Sequence, residues 1–289
     1  MNNANPFSKF QSISDTEWLS LLHRSIAERT INGVAFPGFP DPALQNQTVG
    51  SANEHALHEA FRFYVYAKQV LQRNNLAFSD SFRMIDFGMC WGRISRFFLR
   101  DVTPGNIVGL EVNDTFIEAA KSIGMPVDIQ KIEPLGPTLL PADSVDLVTA
   151  YSVFSHLDEV AADAWAEEFS RVLKPGGILI ATTEGERFID FCAELASREH
   201  HESDWHRSLS KAFPDPEAAR RRYLAGECVT SEPYRHQPHY GETLIPPGYI
   251  MSAWGDRLEL LEFSQAGQRF WQGVFVLRKR TEPVLLGPV

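Results

Sequence analysis

The stretch Met84–Arg100, "MIDFGMCWGRISRFFLR", sets the fold. Its first part is an apolar run ending at Gly88, then a glycine-flanked turn, then a helical pattern. That order, strand to glycine turn to helix, is where open α/β sheets hold nucleotide-like ligands. Working outward, apolar runs recur at "NIVGLEVN" (106–113), "VDIQKI" (127–132), "SVDLVTAYSV" (144–153) and "ILIATT" (178–183). Helical segments lie between them. "DTFIEAAKSI" is capped by Asn113 and closed by Gly124, and "EVAADAWAEEFSRVL" is opened by Asp158 and stopped by "KPGG". Strands alternating with helices at this pitch predict a parallel sheet with right-handed crossovers. The alternation ends late. "RLELLEFSQ" and "QRFWQGVFVLRKR" read as two strands joined around Ala266-Gly267, an appended hairpin that dinucleotide dehydrogenases do not normally have.

Ahead of the sheet, "SDTEWLSLLHRSIAERT" and "EHALHEAFRFYVYAKQVLQRNN" carry helical periodicity, separated by a Pro/Gly loop holding Phe36 and Phe39. The expected organisation is therefore a helical extension over 1–80, a ligand-binding core over 81–184, an insert over 185–250 and closing strands over 251–289. "GERFIDFCAELASREHH" reads as a helix opening the insert, and the rest of 200–248 shows little periodicity.

The chain has 289 residues and a formal charge of -10, from 27 Lys and Arg against 37 Asp and Glu. An acidic balance lacks the positive field that draws phosphate backbones, so nucleic acid is not the expected partner. The run "ARRRY" (219–223) reads as a solvated helix face. Three separated cysteines form no disulfide framework or zinc ribbon. No apolar run is long enough to span a membrane, and the start shows no signal pattern, so a cytoplasmic protein without a membrane partner is expected. His200, His201, Glu202, His206, His236 and His239 are histidine-rich, but adjacent histidines do not converge on one ion; no metal is expected.

The chemistry follows from the turn. Glu111 ends the next strand 23 residues after Gly88, placed to accept hydrogen bonds from both hydroxyls of a ribose. A G-x-G-x-x-G fingerprint fails, because Cys90 and Ser95 occupy two of its three glycine places. What fits is D-x-G-x-x-x-G-R from Asp86 to Arg93. An acid ahead of the turn would repel a pyrophosphate, yet it suits a ligand bearing an amino group and a sulfonium.

These motifs give the chain its resemblance. "DFGMCWGR" (86–93), "SVDLVTAYSVFSHL" (144–157) and "RVLKPGGILIATT" (171–183) resemble the class I S-adenosylmethionine (SAM)-dependent methyltransferases. The bacterial small-molecule type, with "DFGCGWGR" at the first motif, is the most similar. The resemblance covers 82–183 firmly and 240–280 loosely. It implies a Rossmann-like seven-stranded sheet whose last two strands form the terminal hairpin. SAM is the implied cofactor and S-adenosylhomocysteine the product. It assigns Gly88, Cys90 and Gly92 to the SAM methionine moiety, Asp86 to supporting the turn, and Glu111 to the ribose. Val112 and Asn113 would flank the adenine, and Tyr151, ending the fourth strand, would face the reacting methyl.

His156, in "VFSHLD", is the base candidate, weighed against a structural hydrogen bond to its loop. Tyr64, Trp205, Tyr234 and Tyr240 are the candidates for contact with a small-molecule acceptor, and the protein would be a monomer or homodimer. Cys90 stands where relatives carry the second glycine of the turn, and its φ is expected to be negative unless the backbone is strained. That substitution motivates an alternative: a SAM-binding regulatory or scaffold protein with impaired turnover.

Overall fold

The structure is a computed structural model that describes residues 5–231 and 238–281. Helix α1 (Asp15–Arg24) opens with a capping box: Ser14 accepts from the Glu17 amide, and the Glu17 carboxylate accepts from Ser14 N. Its periodic apolar positions bury Trp18 and Leu22. Helix α2 (Pro42–Val49) has a proline at its first position and ends at Gly50 in the left-handed region. Helix α3 (Asn53–Arg73) buries one face, from Ala56 and Leu57 to Val70 and Leu71.

Strand β1 (Met84–Phe87) then leads into the glycine turn and α4 (Ser95–Phe98). The helix expected after the turn is thus a single turn. Strand β2 (Ile107–Glu111) is followed by α5 (Asp114–Ser122), which Asn113 caps through the Thr115 amide, and by β3 (Asp128–Lys131). Strand β4 (Val145–Ala150), helix α6 (Glu159–Val172) and strand β5 (Leu173–Thr183) follow. Helix α6 stops earlier than "KPGG" suggests. Leu173 is already extended, with ψ of 140°, just ahead of Lys174, which Pro175 steers out of the helical region. The hairpin is β6 (Leu258–Ser264) and β7 (Gly273–Lys279).

The sheet order is β6-β7-β5-β4-β1-β2-β3. Strand β1 pairs in parallel with β2 and β4, and β2 with β3. Strand β7 runs antiparallel to both β5 and β6, with a bulge between Leu260 and Glu262. The order turns back at β1 and β4, the switch point where ligands of such sheets bind. The seven-stranded Rossmann-like sheet with a terminal hairpin is as the sequence predicts.

The segment with little periodicity is more ordered than expected. It holds α8 (Asp204–Leu209) and α9 (Pro216–Leu224), after α7 (Glu186–Ala196). Both new helices are short and locally capped, by Ser203 and Asp215, so side-chain oxygens supply what periodicity does not. Cys192 is buried in the apolar cluster that α7 shares with Leu209 and Tyr223. Within "ARRRY", Arg220 pairs with Glu186 and Asp190 of α7.

Two compact units make up the chain. One holds residues up to Ile132 together with Val145–Thr149; the other holds Glu133–Ser144 and the residues from Ala150 onward. No described helix is long and apolar enough to cross a membrane.

Candidate functional site

In the first unit the turn after β1 is built on three left-handed residues. Gly88 has φ of 67°, Cys90 51° and Gly92 84°. The expectation of a negative φ at Cys90 is overturned. The backbone keeps the conformation a glycine would take, because the Cys90 N–H must reach Glu111 Oε2, which it does at 2.9 Å. A side chain in that region carries strain of about 1–3 kcal/mol. The thiol turns toward Thr48 of α2; burial, and then the Glu111 carboxylate, push its pKa up to about 12. It is not a nucleophile at neutral pH.

Glu111 is buried, 5% exposed. Its Oε1 accepts the amides of Val112 (2.9 Å) and Asn113 (3.0 Å). A carboxylate offers about four lone-pair directions, so three backbone donors leave roughly one open. Burial raises its pKa, and the bonds from Asn113, Cys90 and Val112 work against that rise. Val112 beside it is 46% exposed, as a surface for a flat ring would be.

Asp86 is buried, 2% exposed. Its Oδ2 accepts from Ser95 N (2.9 Å) and Ser95 Oγ (2.5 Å), so it caps the short helix α4 from within the strand. Burial raises its pKa to about 6, against these bonds. Met89, where relatives have cysteine, fits because β2 has Gly109 beneath it; a Cβ there would overlap Met89 Sδ. Gly92 is covered by Met125, whose side chain lies 2.9 Å from the place a Cβ would occupy. Neither Met89 with Gly109 nor Thr48 with Cys90 is signalled by a motif, since each pair is distant in sequence.

Tyr64 is not at the turn. It is fully buried, bonded to Asp101 (2.5 Å) and Arg100, and packed on Phe97 and Phe98. Its position in the α3 periodicity made it a core residue.

In the second unit, the turn after β4 carries Tyr151 and His156. Tyr151 makes an edge contact with Phe270 at 6.0 Å. His156 stacks on Tyr240 at 5.0 Å, and its Nδ1 lies 3.4 Å from Glu242 Oε2 without hydrogen-bond alignment. The stretch from His239 to Thr243 is stapled to this turn by Gly241 N to His156 O, Thr243 N to Ser155 O and His239 to Asp158. Trp205 is 44% exposed and sits 6.3 Å from Phe191. Tyr234 lies outside the described residues. Among those described, no group of three or more His, Cys, Asp or Glu is placed to hold a metal.

Sequence reasoning missed a polar network at the end of β5. Gln272 Nε2 donates to Glu184 Oε1 (2.8 Å) and Ser152 Oγ (3.0 Å), while its Oε1 accepts from Thr182 Oγ1 (2.6 Å). Thr182 Oγ1 in turn accepts the Ser152 amide at 2.7 Å. Glu184 directly follows a strand end, the one signal that could have drawn attention to it.

Residues 85–181 match the family model described as a methyltransferase domain. No curated protein matches the chain. Among solved structures, a SAM-dependent methyltransferase from Clostridium acetobutylicum is similar, with a TM-score of 0.52 and 12% identity. The alignment covers 76% of this chain and 91% of that one. A protein from Pyrococcus horikoshii has a TM-score of 0.49 at 17% identity, covering 74% and 87%. A SAM-dependent methyltransferase from Methanosarcina mazei has 0.47 at 15%, covering 73% and 98%. The likeness to the first is one of fold. The matched segment begins within β1 and ends within β5, so it contains the glycine turn, Glu111 and His156.

Proposed function

We propose that the protein is a SAM-dependent methyltransferase acting on a small-molecule acceptor. The observation that carries this reading is the Glu111 carboxylate, fixed by three backbone amides at the end of β2 and joined to the glycine turn through Cys90. One ribose hydroxyl takes its remaining lone pair, on Oε2 beside the Cys90 amide. Val112 and Asn113 flank the adenine, and Gly88 and Gly92 allow close approach of the methionine moiety. Asp86 holds the turn in shape.

The transferred methyl is already activated as a sulfonium, so the protein's task is alignment and exclusion of water. The acceptor's attacking atom forms a bond to the methyl carbon while the C–S bonding pair stays on sulfur. Tyr151 and His156 follow β4, the strand next to β1 in the sheet. We assign Tyr151 to the methyl and His156 to proton removal or loop support, with Trp205 and Tyr240 on the acceptor side. The acidic balance favours a small molecule over nucleic acid.

A SAM-binding protein without turnover is the second reading. It is favoured by the Cys90 side chain in the turn and by Met125 against Gly92. Release of S-adenosylhomocysteine across amine, hydroxyl and thiol acceptors separates the two. Release with any acceptor class supports the enzyme; tight SAM binding with no release across the panel supports the binder.

A further inference from the structure

The turn after β4 and the stretch stapled to it bring a histidine and a buried carboxylate together. His156 is fixed through its backbone. Its N–H donates to Val153 O (2.8 Å), and its carbonyl accepts from Gly241 N (2.9 Å). Leu157 pairs with Tyr240 as an antiparallel bridge. Glu242 is held on its opposite edge by Ser231: its N–H donates to Ser231 Oγ and its carbonyl accepts from Ser231 N, both at 2.9 Å. The His156 ring lies nearly flat on Tyr240, with 13° between the planes. Its Nδ1 is buried, and among the described residues it has no hydrogen-bond partner. Glu242 Oε2 is 3.4 Å away, on a side chain 2% exposed. The distance is therefore met, and only direction is lacking. The last torsion of a glutamate is broad, so a turn of the carboxylate supplies that direction without moving the backbone. Glu242 makes further interactions, and the pairing needs only this one oxygen. Asp158 does not compete for the ring, since its carboxylate is bonded to His239 at 2.9 Å.

A buried ring nitrogen without a partner costs free energy, and a carboxylate beside it recovers that cost by accepting its N–H. Which nitrogen of an imidazole carries the proton is set by such a bond. We propose that Glu242 is the positioning residue for His156: its carboxylate holds the imidazole proton on Nδ1 and leaves the lone pair of Nε2 to the methyl acceptor. The side chain of His156 is 21% exposed while Nδ1 is not, so its open part lies away from Glu242. In the transfer, the acceptor gives its proton to Nε2 while its electron pair bonds to the methyl carbon, and the C–S pair stays on sulfur. The resulting imidazolium keeps its Nδ1–H on Glu242, whose negative charge stabilises it, and Nε2 then returns the proton to solvent. The proposal rests on the methyltransferase reading for this transfer; the pairing of the two side chains does not.

Long-range proton–nitrogen correlation spectra of the isotope-labelled full chain, recorded without SAM at alkaline pH, show which ring nitrogen carries the proton. The His156 signals are those lost in His156→Ala. The parent protein should hold His156 as the Nδ1–H tautomer. Glu242→Ala should move it toward the Nε2–H form, which imidazole favours in water. Asp158→Ala, which releases His239 instead, should leave the tautomer unchanged. An Nε2–H form in the parent protein overturns the proposal even where Glu242→Ala does not fold. So does an unchanged tautomer in a folded Glu242→Ala protein, or an equal shift in Asp158→Ala. The role in transfer is read from S-adenosylhomocysteine release with a hydroxyl acceptor. Glu242→Ala should lower kcat at least tenfold with KM little changed, but less than twofold when His156→Ala is already present, because it acts through that ring. Equal losses in the two backgrounds would overturn the proposal. Absence of release with every acceptor would overturn the enzyme reading and the proton-removing role with it, whereas the tautomer still decides the pairing.

Discussion

At the scale of single residues, the turn after β1 shows how a foreign side chain is tolerated in a glycine position. Cys90 keeps φ of 51° because its amide is bonded to Glu111, and because its thiol leaves the turn toward Thr48. Cys90→Gly relieves the left-handed strain but adds freedom to the unfolded chain, and these effects oppose each other. The expected stability change by chemical denaturation is therefore under about 1 kcal/mol. SAM affinity should move less than tenfold; a larger gain would favour the binder without turnover. Gly109→Ala is a harsher change. Its methyl would overlap Met89 Sδ in a buried layer, and overpacking of this kind costs about 1–3 kcal/mol. Restoring the smaller residue at the same time, as Met89→Cys with Gly109→Ala, should recover part of that loss.

At the scale of elements, the caps were legible. Asn113 and Asp158 sit where polar residues precede periodic apolar runs, and each accepts a first-turn amide. Asp158→Ala should cost about 0.5–2 kcal/mol, measured as a lowered denaturation midpoint. The cost should fall toward the upper end, because Asp158 also holds His239. The two helices of the insert were not legible, since six and nine residues give too few turns for a period to stand out. Helix α4 was overestimated for the opposite reason. Its apolar residues continue a helical pattern, and Leu99 stays right-handed with the Val102 amide donating to Phe98 O, but the regular helix itself spans only Ser95–Phe98. Local patterning marks where elements begin; tertiary bonds decide how far they run.

At the scale of the molecule, the strand order was not legible, but the parallel sheet and its late hairpin were visible in the sequence, as the strand–helix alternation and the two closing apolar runs. So were Gly88, Gly92 and Glu111, because the spacing of a strand-end acid from a glycine turn is local information. The Glu184 network was hidden, since Ser152, Thr182, Glu184 and Gln272 come together only when β5 and the residues preceding β7 are side by side. It has a measurable consequence. Burial, reinforced by Glu242, raises the Glu184 pKa from the ordinary 4.5 to about 8. The folded protein then holds this proton more tightly than the unfolded chain, so stability falls as pH rises from about 4.5 to about 8. Glu184→Gln removes that loss. The variant should match the parent protein below pH 4.5 and exceed it by an amount that grows to several kcal/mol, on the order of 5, above pH 8. Thermal unfolding across that range would check it; a constant offset at all pH values would show that the carboxylate is not the cause.

The central claim is that the turn after β1 and the acid at the end of β2 bind SAM together, and isothermal titration of SAM into the parent protein and Glu111→Ala tests it most directly. Saturable binding is expected, weakened by about 1–3 kcal/mol in the variant, with folding intact by circular dichroism. Equal affinity in the two proteins would remove Glu111 from the site, and no binding to the parent protein would contradict the account as a whole.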